Sequence, residues 1–330
     1  MPWPPPFWSE KGGRLGNALF PRLLYPASTI ATRLAARRVA RPGFRAPVPV
    51  ICCGNVTVGG AGKTTLVLDL AGLLSRAGIA THILSRGYGG RLSGPLRVMN
   101  EHGAAEVGDE ALLLAAVAPT WIGGDRAASA RAAVAAGAKV LLMDDGLQNA
   151  TLEKSFSFIV IDGEVGFGNG RVLPAGPLRE PITAAAARAD AAVLIGGDTC
   201  GARALLPARL PVLTARLVPG PDAATLQGRR VLGFAGIGRP SKFFATPREA
   251  GAIVAGCRAF PDHHIFRRRE LGDLFDEAGR LNAMPVTTAK DAARLSPTDR
   301  ARVTVLAVSL AWDDPGALSG LLAPLVPGIR

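Results

Sequence analysis

Cysteine is scarce in this chain and poorly spaced for chemistry. Its four cysteines, Cys52, Cys53, Cys200 and Cys257, form no CxxC pair and no even framework, which argues for a reducing compartment without structural zinc or disulfides. One histidine pair occurs, His263-His264, with no third ligand at metal-binding spacing, so zinc is not expected. Aromatic residues are only 5% and the arginines are dispersed, which weighs against single-stranded nucleic acid as a ligand. No uncharged run reaches membrane-spanning length. The N-terminus lacks the basic region and apolar core of a secretory signal. Acidic residues are in deficit, 26 against 38 Lys and Arg, for a net charge of +12. Such a surface suits nucleic acid, an anionic membrane or a phosphorylated substrate, and charge alone does not choose. At 330 residues with 48% hydrophobic content, the chain can bury a core and hold two domains.

What is present centres on Ile51 to Thr65, ICCGNVTVGGAGKTT. An apolar run enters a glycine-rich turn that closes on Lys63-Thr64-Thr65 and opens into an apolar-periodic helix, the P-loop arrangement. Residues Thr57, Val58, Gly59, Gly60, Ala61, Gly62, Lys63, Thr64 and Thr65 are the expected phosphate-binding set. Glycines let backbone N–H groups face phosphate oxygens, and the helix adds its positive end. Lys63 would reach the β- and γ-phosphates, and the Thr64 hydroxyl would join a Mg²⁺ shell. Thr57 stands where the usual pattern has its first glycine. An ordinary glycine-rich βα turn is the bland alternative, disfavoured because Gly59, Gly60, Gly62, Lys63 and Thr64 all agree.

Before the loop, residues 1–45 place Trp3, Phe7 and Trp8 among prolines. An apolar helix follows, carrying Arg14, Arg22, Arg33, Arg37, Arg38 and Arg41. A membrane-interface helix and a helix packed on the domain, kinked at Pro21 and Pro26, are both open readings and do not exclude each other. After the loop, Gly78 to Leu84 reads as a second strand, ending in SRGYGG. Asp109 of GDE precedes a helix from Ala111 to Ala118, and pattern alone favours a helix cap over a catalytic acid. A further helix runs from Arg126 to Ala136. Lys139 to Met143 is a buried-strand run delivering Asp144-Asp145, the Walker B arrangement for Mg²⁺. Repeated strand–helix alternation predicts an α/β fold with a mostly parallel, doubly covered sheet and ligands at its carboxyl edge. A Gly/Pro-rich loop over 166–181 carries Arg179-Glu180, and a solvated loop is its bland reading. A second, smaller α/β unit starts beyond 219, and an apolar strand from Val303 to Leu310 closes the chain before a short helix.

These motifs, GNVTVGGAGKTT, SRGYGG, GDE, DDGLQ, GFGNGRVLPAGPLREP, FAGIGRPSKFF, DHH and TTAKD, stand in one order. Together they resemble the tetraacyldisaccharide 4′-kinases of lipid A biosynthesis, from Pro6 almost to the C-terminus. The resemblance implies ATP and Mg²⁺ as cofactors, and transfer of the γ-phosphoryl group to the 4′-hydroxyl of an acylated glucosamine disaccharide 1-phosphate. It changes the weight on Asp109, which would pair with His263 to activate that hydroxyl. It implies Lys63 on the γ-phosphate, Thr64, Asp144, Asp145 and Glu180 around Mg²⁺, and Arg86, Arg126, Gln148, Asn169 and Arg179 contacting substrate or phosphate. Leu147 and Asn149 depart from the family's DDGFQH. The family's organisation implies a segment 1–45 on the membrane and a P-loop domain 46–218. A smaller domain 219–302 and a return strand with helix 303–330 would complete it, with joining strands near Pro211–Val218 and Arg302–Leu310. It places the chain peripherally at the cytoplasmic face of the bacterial inner membrane, with no nucleic acid and no obligate protein partner. A P-loop NTPase acting as a metal-insertion or maturation switch is the alternative enzyme. A membrane-bound nucleotide sensor would need no base at Asp109.

Overall fold

The computed structural model describes residues 5–8 and 16–329. Trp3 and Arg14 of the interface reading lie outside them. Thirteen strands are described: β1 (Val50–Gly54), β2 (Thr81–Ser85), β3 (Leu96–Arg97), β4 (Thr120–Ile122), β5 (Val140–Asp144), β6 (Phe156–Asp162), β7 (Ala191–Ile195), β8 (Val212–Pro219), β9 (Arg230–Ala235), β10 (Ile253–Ala259), β11 (Met284–Thr288), β12 (Thr304–Leu306) and β13 (Val308–Trp312). Nine form one sheet in the order β13-β8-β7-β6-β1-β5-β2-β4-β3, and β10-β9-β11-β12 form a second, smaller one. The smaller sheet is parallel throughout, and the larger is parallel except at its edges, where β13 and β3 run antiparallel. The chain is therefore α/β with a mostly parallel main sheet, as its strand–helix alternation predicts.

The sheet order explains where the site lies. The chain leaves β1 toward β2 on one side, and after β5 crosses to β6 and β7 on the other. Strand order reverses at β1, so a crevice opens outside its carboxyl end. β1 is buried along its length. Ile51 and Cys53 enter the core beneath the P-loop helix, while Val50 and Cys52 enter the core on the opposite face. That is why the run is apolar without alternation. Burial pushes the Cys52 thiol up to about 12, so it acts as a small core residue.

The helix Lys63–Arg76 buries Leu66, Val67, Leu70 and Leu74 against β1, β5, β6 and the C-terminal helix Pro315–Leu322. Fully burying each leucine contributes about 1.5–3 kcal/mol. Gly78 ends this helix in a left-handed turn, and Ile79 N donates back to Leu74 O. The strand expected from Gly78 therefore begins only at Thr81.

The apolar run Val303 to Leu310 is not one strand. It divides at Ala307, with β12 in the smaller sheet and β13 in the larger. The Ala307 carbonyl accepts from Gly220 N, just beyond β8. The outgoing and returning chains thus meet where they pass between sheets, a change of partner that hydropathy cannot register.

At the N-terminal end, helices Gly16–Leu23 and Tyr25–Val39 are separated at Leu24, with Pro21 inside the first and Pro26 opening the second. The buried Ser28 hydroxyl donates to Val172 O and accepts from Ala175 N, docking the second helix on the 166–181 loop. Among the described residues, no helix is long and apolar enough to cross a membrane.

Candidate active site

The P-loop is held from within and from outside. Asn55 Nδ2 donates to Thr57 Oγ1 at 3.1 Å, and Asn55 Oδ1 accepts from Lys63 Nζ at 3.1 Å. Outside, Val58 N donates to Pro177 O, and Arg179 N donates to Val56 O. The Gly/Pro-rich loop is therefore the outer wall of the phosphate cradle. Gly62 takes φ +91°, a left-handed conformation that favours glycine. The helix it opens has no side-chain cap, which leaves the first amides and the helix dipole for an anion.

Beside the loop, Asp144 ends β5 at 2% exposure. Its Oδ2 accepts from the Thr64 hydroxyl at 3.5 Å, and its Oδ1 has no partner among the described residues. Burial, helped by nearby Glu110, pushes Asp144 up to about 7. A buried, unsatisfied carboxylate oxygen facing a hydroxyl fits a hard cation that brings phosphate oxygens with it.

The other acids of the expected cation set are engaged elsewhere. Arg179 Nη1 donates to both oxygens of Asp145, at 2.9 and 3.0 Å, and Lys63 Nζ lies 3.5 Å from Oδ1. Burial pushes this carboxyl up, but the two cations prevail and hold it below the usual range. Glu180 is 3% exposed, with Oε2 on Arg188 at 2.6 Å and Oε1 accepting from Gln148 Nε2 at 3.0 Å. Gln148 Nε2 also donates to Asn55 O. Glu180 thus braces the wall through Gln148, while among the described residues Thr64 and the unpaired Oδ1 of Asp144 offer the least engaged atoms for a cation.

Two expected substrate contacts are held by the protein itself. Arg126 is 2% exposed and donates to the carbonyls of Gly123 and Asp144. Asp125 caps its helix, and this first-turn position sends the guanidinium beneath β5. Asn169 gives its amide to Phe7 O and Ala175 O and accepts from Arg171 N, tying the Pro-Phe-Trp segment to the wall. Arg86 is exposed beyond β2, as a contact residue would be.

Beside the P-loop, Asp109 and Glu110 of the larger unit meet His263, Lys290 and Arg294 of the smaller one. Asp109 is not a helix cap; Gly108 precedes the helix Asp109–Ala115, and Asp109 Oδ1 accepts only the adjacent Glu110 N. Its Oδ2 meets His263 Nδ1 at 3.2 Å. The Tyr88 ring of SRGYGG meets that imidazole edge-on, 5.4 Å between centroids. Asp109 Oδ2 also accepts from Arg294 Nε at 2.8 Å, and Lys290 Nζ pairs with Glu110. Glu110 and Lys290 both lie within electrostatic reach of Asp144, so this cluster and the P-loop face one crevice. Burial pushes Asp109 up, but His263 and Arg294 hold it well below the usual carboxylate range. The hydrogen bond with Asp109 raises His263 against the effect of its own burial.

Sequence reasoning assigned no role to Asn55, Glu110, Lys290 or Arg294. The first three sit inside quoted motifs, and their partners lie 8, 180 and 180 residues away. Arg294 sits in no motif, and only the fold brings it to Asp109.

The family model described as tetraacyldisaccharide-1-P 4′-kinase matches residues 20–326. A tetraacyldisaccharide 4′-kinase of Rhodospirillum centenum is 55% identical, over 98% of this chain and 97% of its own length. One from Gluconacetobacter diazotrophicus is 56% identical, over 96% of each. The crystal structure of "apo" form LpxK from Aquifex aeolicus in complex with ATP superposes with a TM-score of 0.74 at 26% identity, covering 92% of this chain and 99% of that one. With P-loop, wall and cross-cleft dyad on one scaffold that these relatives match end to end, the chain belongs to the tetraacyldisaccharide-1-P 4′-kinase family.

Proposed function

We propose that this protein transfers the γ-phosphoryl group of ATP to the 4′-hydroxyl of tetraacyldisaccharide 1-phosphate, giving the 1,4′-bisphosphate of the lipid A precursor. The observation that carries the reading is the Asp109–His263 pair facing an open P-loop. An alcohol needs its proton accepted as it attacks, and a pair formed between the two units can do that beside the P-loop. Lys63, held by Asn55 and Asp145, points fixed positive charge at the phosphates. Thr64 and Asp144 would hold Mg²⁺, which neutralises charge on the β- and γ-phosphates when bound. Arg179, fixed by Asp145, keeps the wall closed over Val56 and supplies a second cation at the crevice. His263 and Asp109 come from opposite sheets, so separating residues 46–218 from 219–302 would open the dyad and closing them would exclude water.

The substrate's acyl chains favour attachment at the cytoplasmic face of the inner membrane. Phe20, Leu23, Tyr25, Ile30 and Leu34 are all exposed on the N-terminal helices. Arg22, Arg33, Arg37 and Arg38 are exposed beside them. Apolar and cationic groups together suit a peripheral anchor on anionic lipid.

The test is transfer from labelled ATP to tetraacyldisaccharide 1-phosphate in mixed micelles, wild type against Asp109→Ala. Transfer that collapses by about 10²–10⁴-fold in the variant, with ATP still bound, is expected. Folded wild type that binds ATP and transfers nothing would move the reading to the NTPase switch.

A further inference from the structure

Arg294 lies in the turn after the helix Ala289–Ala292, and its side chain is 6% exposed. Its seat is built wholly from the smaller unit. Nη1 donates to Gly236 O at 3.0 Å, to Asp291 Oδ1 at 3.1 Å and to His264 O at 3.4 Å. Asp291, fully buried, also accepts from Gly236 N and from the Thr288 hydroxyl. The guanidinium is thus fixed before the other unit approaches, with its remaining edge turned toward Asp109. Nε donates to Asp109 Oδ2 at 2.8 Å, and Nη2 lies 2.6 Å from the same oxygen without hydrogen-bond alignment.

We propose that Arg294 is a positioning residue for phosphoryl transfer: it clasps the Asp109 carboxylate from the smaller unit and so holds that carboxylate against Nδ1 of His263. The inference rests on the kinase reading above, with His263 as its proton acceptor, and adds to that dyad the residue that holds it. Arginine stays charged at any working pH, so a proton placed on Asp109 would have to break a buried ion pair. The Asp109 side chain is 4% exposed, whereas that of His263 is 35% exposed. Among the described residues, Nε2 has no partner nearer than Asp262 Oδ1, at 3.9 Å. With Nδ1–H donated to Asp109, Nε2 presents its lone pair to the cleft. As the sugar oxygen bonds to the γ-phosphorus and the bond to the β-bridging oxygen breaks, the hydroxyl proton passes to Nε2. The resulting imidazolium is paired with Asp109, and ADP leaves.

The charged and titratable groups facing the ring are Asp109, Asp262, Lys290 and, through Asp109, Arg294, with Tyr88 against its edge. Removing the Arg294 charge leaves Asp109 wholly to the imidazolium, so the base should lose its proton at higher pH.

The experiment compares wild type, Arg294→Gln, Arg294→Lys, Asp109→Asn and the Asp109→Asn/Arg294→Gln double variant in the micelle assay, alongside ATP binding and melting temperature. In Arg294→Gln, kcat should fall on the order of 10²-fold with ATP affinity within twofold. The acidic limb of kcat/KM should move to higher pH. Arg294→Lys should recover part of the loss, and the double variant should be no slower than Asp109→Asn alone. Wild-type kcat with an unmoved limb in Arg294→Gln, or a full further loss in the double variant, overturns the proposal. Should Arg294→Gln fail to fold, Arg294→Lys decides: a severalfold loss supports the clasp, and wild-type kcat overturns it. Absence of transfer in wild type itself would instead count against the kinase reading.

Discussion

Gly108 offers the sharpest test of how the dyad is built. It takes φ 89° and ψ 148°, a region essentially restricted to glycine, where another residue costs about 1–3 kcal/mol. A Cβ at this position would stand 2.3 Å from Tyr88 O and 3.3 Å from Gly87 C. Backbone cannot swing aside as a side chain can, so one of the two loops must retreat by roughly 1 Å, an overpacking cost of about 1–3 kcal/mol. Gly90 faces the same junction, where its Cβ would meet Glu106 O at 2.5 Å, so there is no slack on the opposite side. Gly108→Ala should therefore destabilise the protein by about 2–6 kcal/mol, lowering the melting temperature by on the order of 10 °C. The two loops carry Asp109 and Tyr88, the partners of His263, so a 1 Å shift should also slow transfer on the order of 10²-fold. ATP affinity should hold, because the P-loop leaves a different strand. Thermal melting, the micelle assay and ATP titration on one preparation check all three, with Gly124→Ala as control, since a Cβ there meets nothing within 4 Å. Gly108→Ala melting within two degrees of wild type and transferring within twofold would refute the argument.

Asp144 predicts an unusual pH dependence. Burial raises its folded pKa to about 7, above an unfolded value of about 3.9, so its penalty on the ligand-free protein is absent below about pH 4 and grows as pH rises through 7. Denaturation midpoints should show Asp144→Asn gaining stability over wild type at pH 8 and little at pH 4, and Mg²⁺ with ATP should stabilise wild type more at pH 8 than at pH 5; equal gains at every pH would contradict this. On the N-terminal helices, replacing Leu23, Ile30 and Leu34 together by Gln should cut co-sedimentation with anionic vesicles at least tenfold, as about 1.5–3 kcal/mol per fully buried side chain implies. ATP binding should be unchanged, and undiminished vesicle binding would remove these residues from the anchor.

Local sequence carried the parts of this protein that are local in physics. A P-loop is a contiguous turn whose glycines, lysine and threonine must sit at set spacing, so residues 57–65 could be read directly. The buried-strand run into Asp144 and the strand–helix alternation were legible for the same reason, because hydropathy period follows backbone geometry. The division of the last apolar run at Ala307 was not, since both halves are equally apolar and only their partners differ. Site roles were the least legible. Glu180 and Asp145 read as bare acids in a string of motifs, and only the fold shows Arg188, Gln148, Arg179 and Lys63 at their oxygens. Asp109 looks like a helix cap until His263 and Arg294, 154 and 185 residues away, arrive at its carboxylate. A residue's type and neighbours along the chain determine what it can do. Which lone pairs and charges remain free is decided by long-range packing, and here that meant two sheets meeting across one crevice.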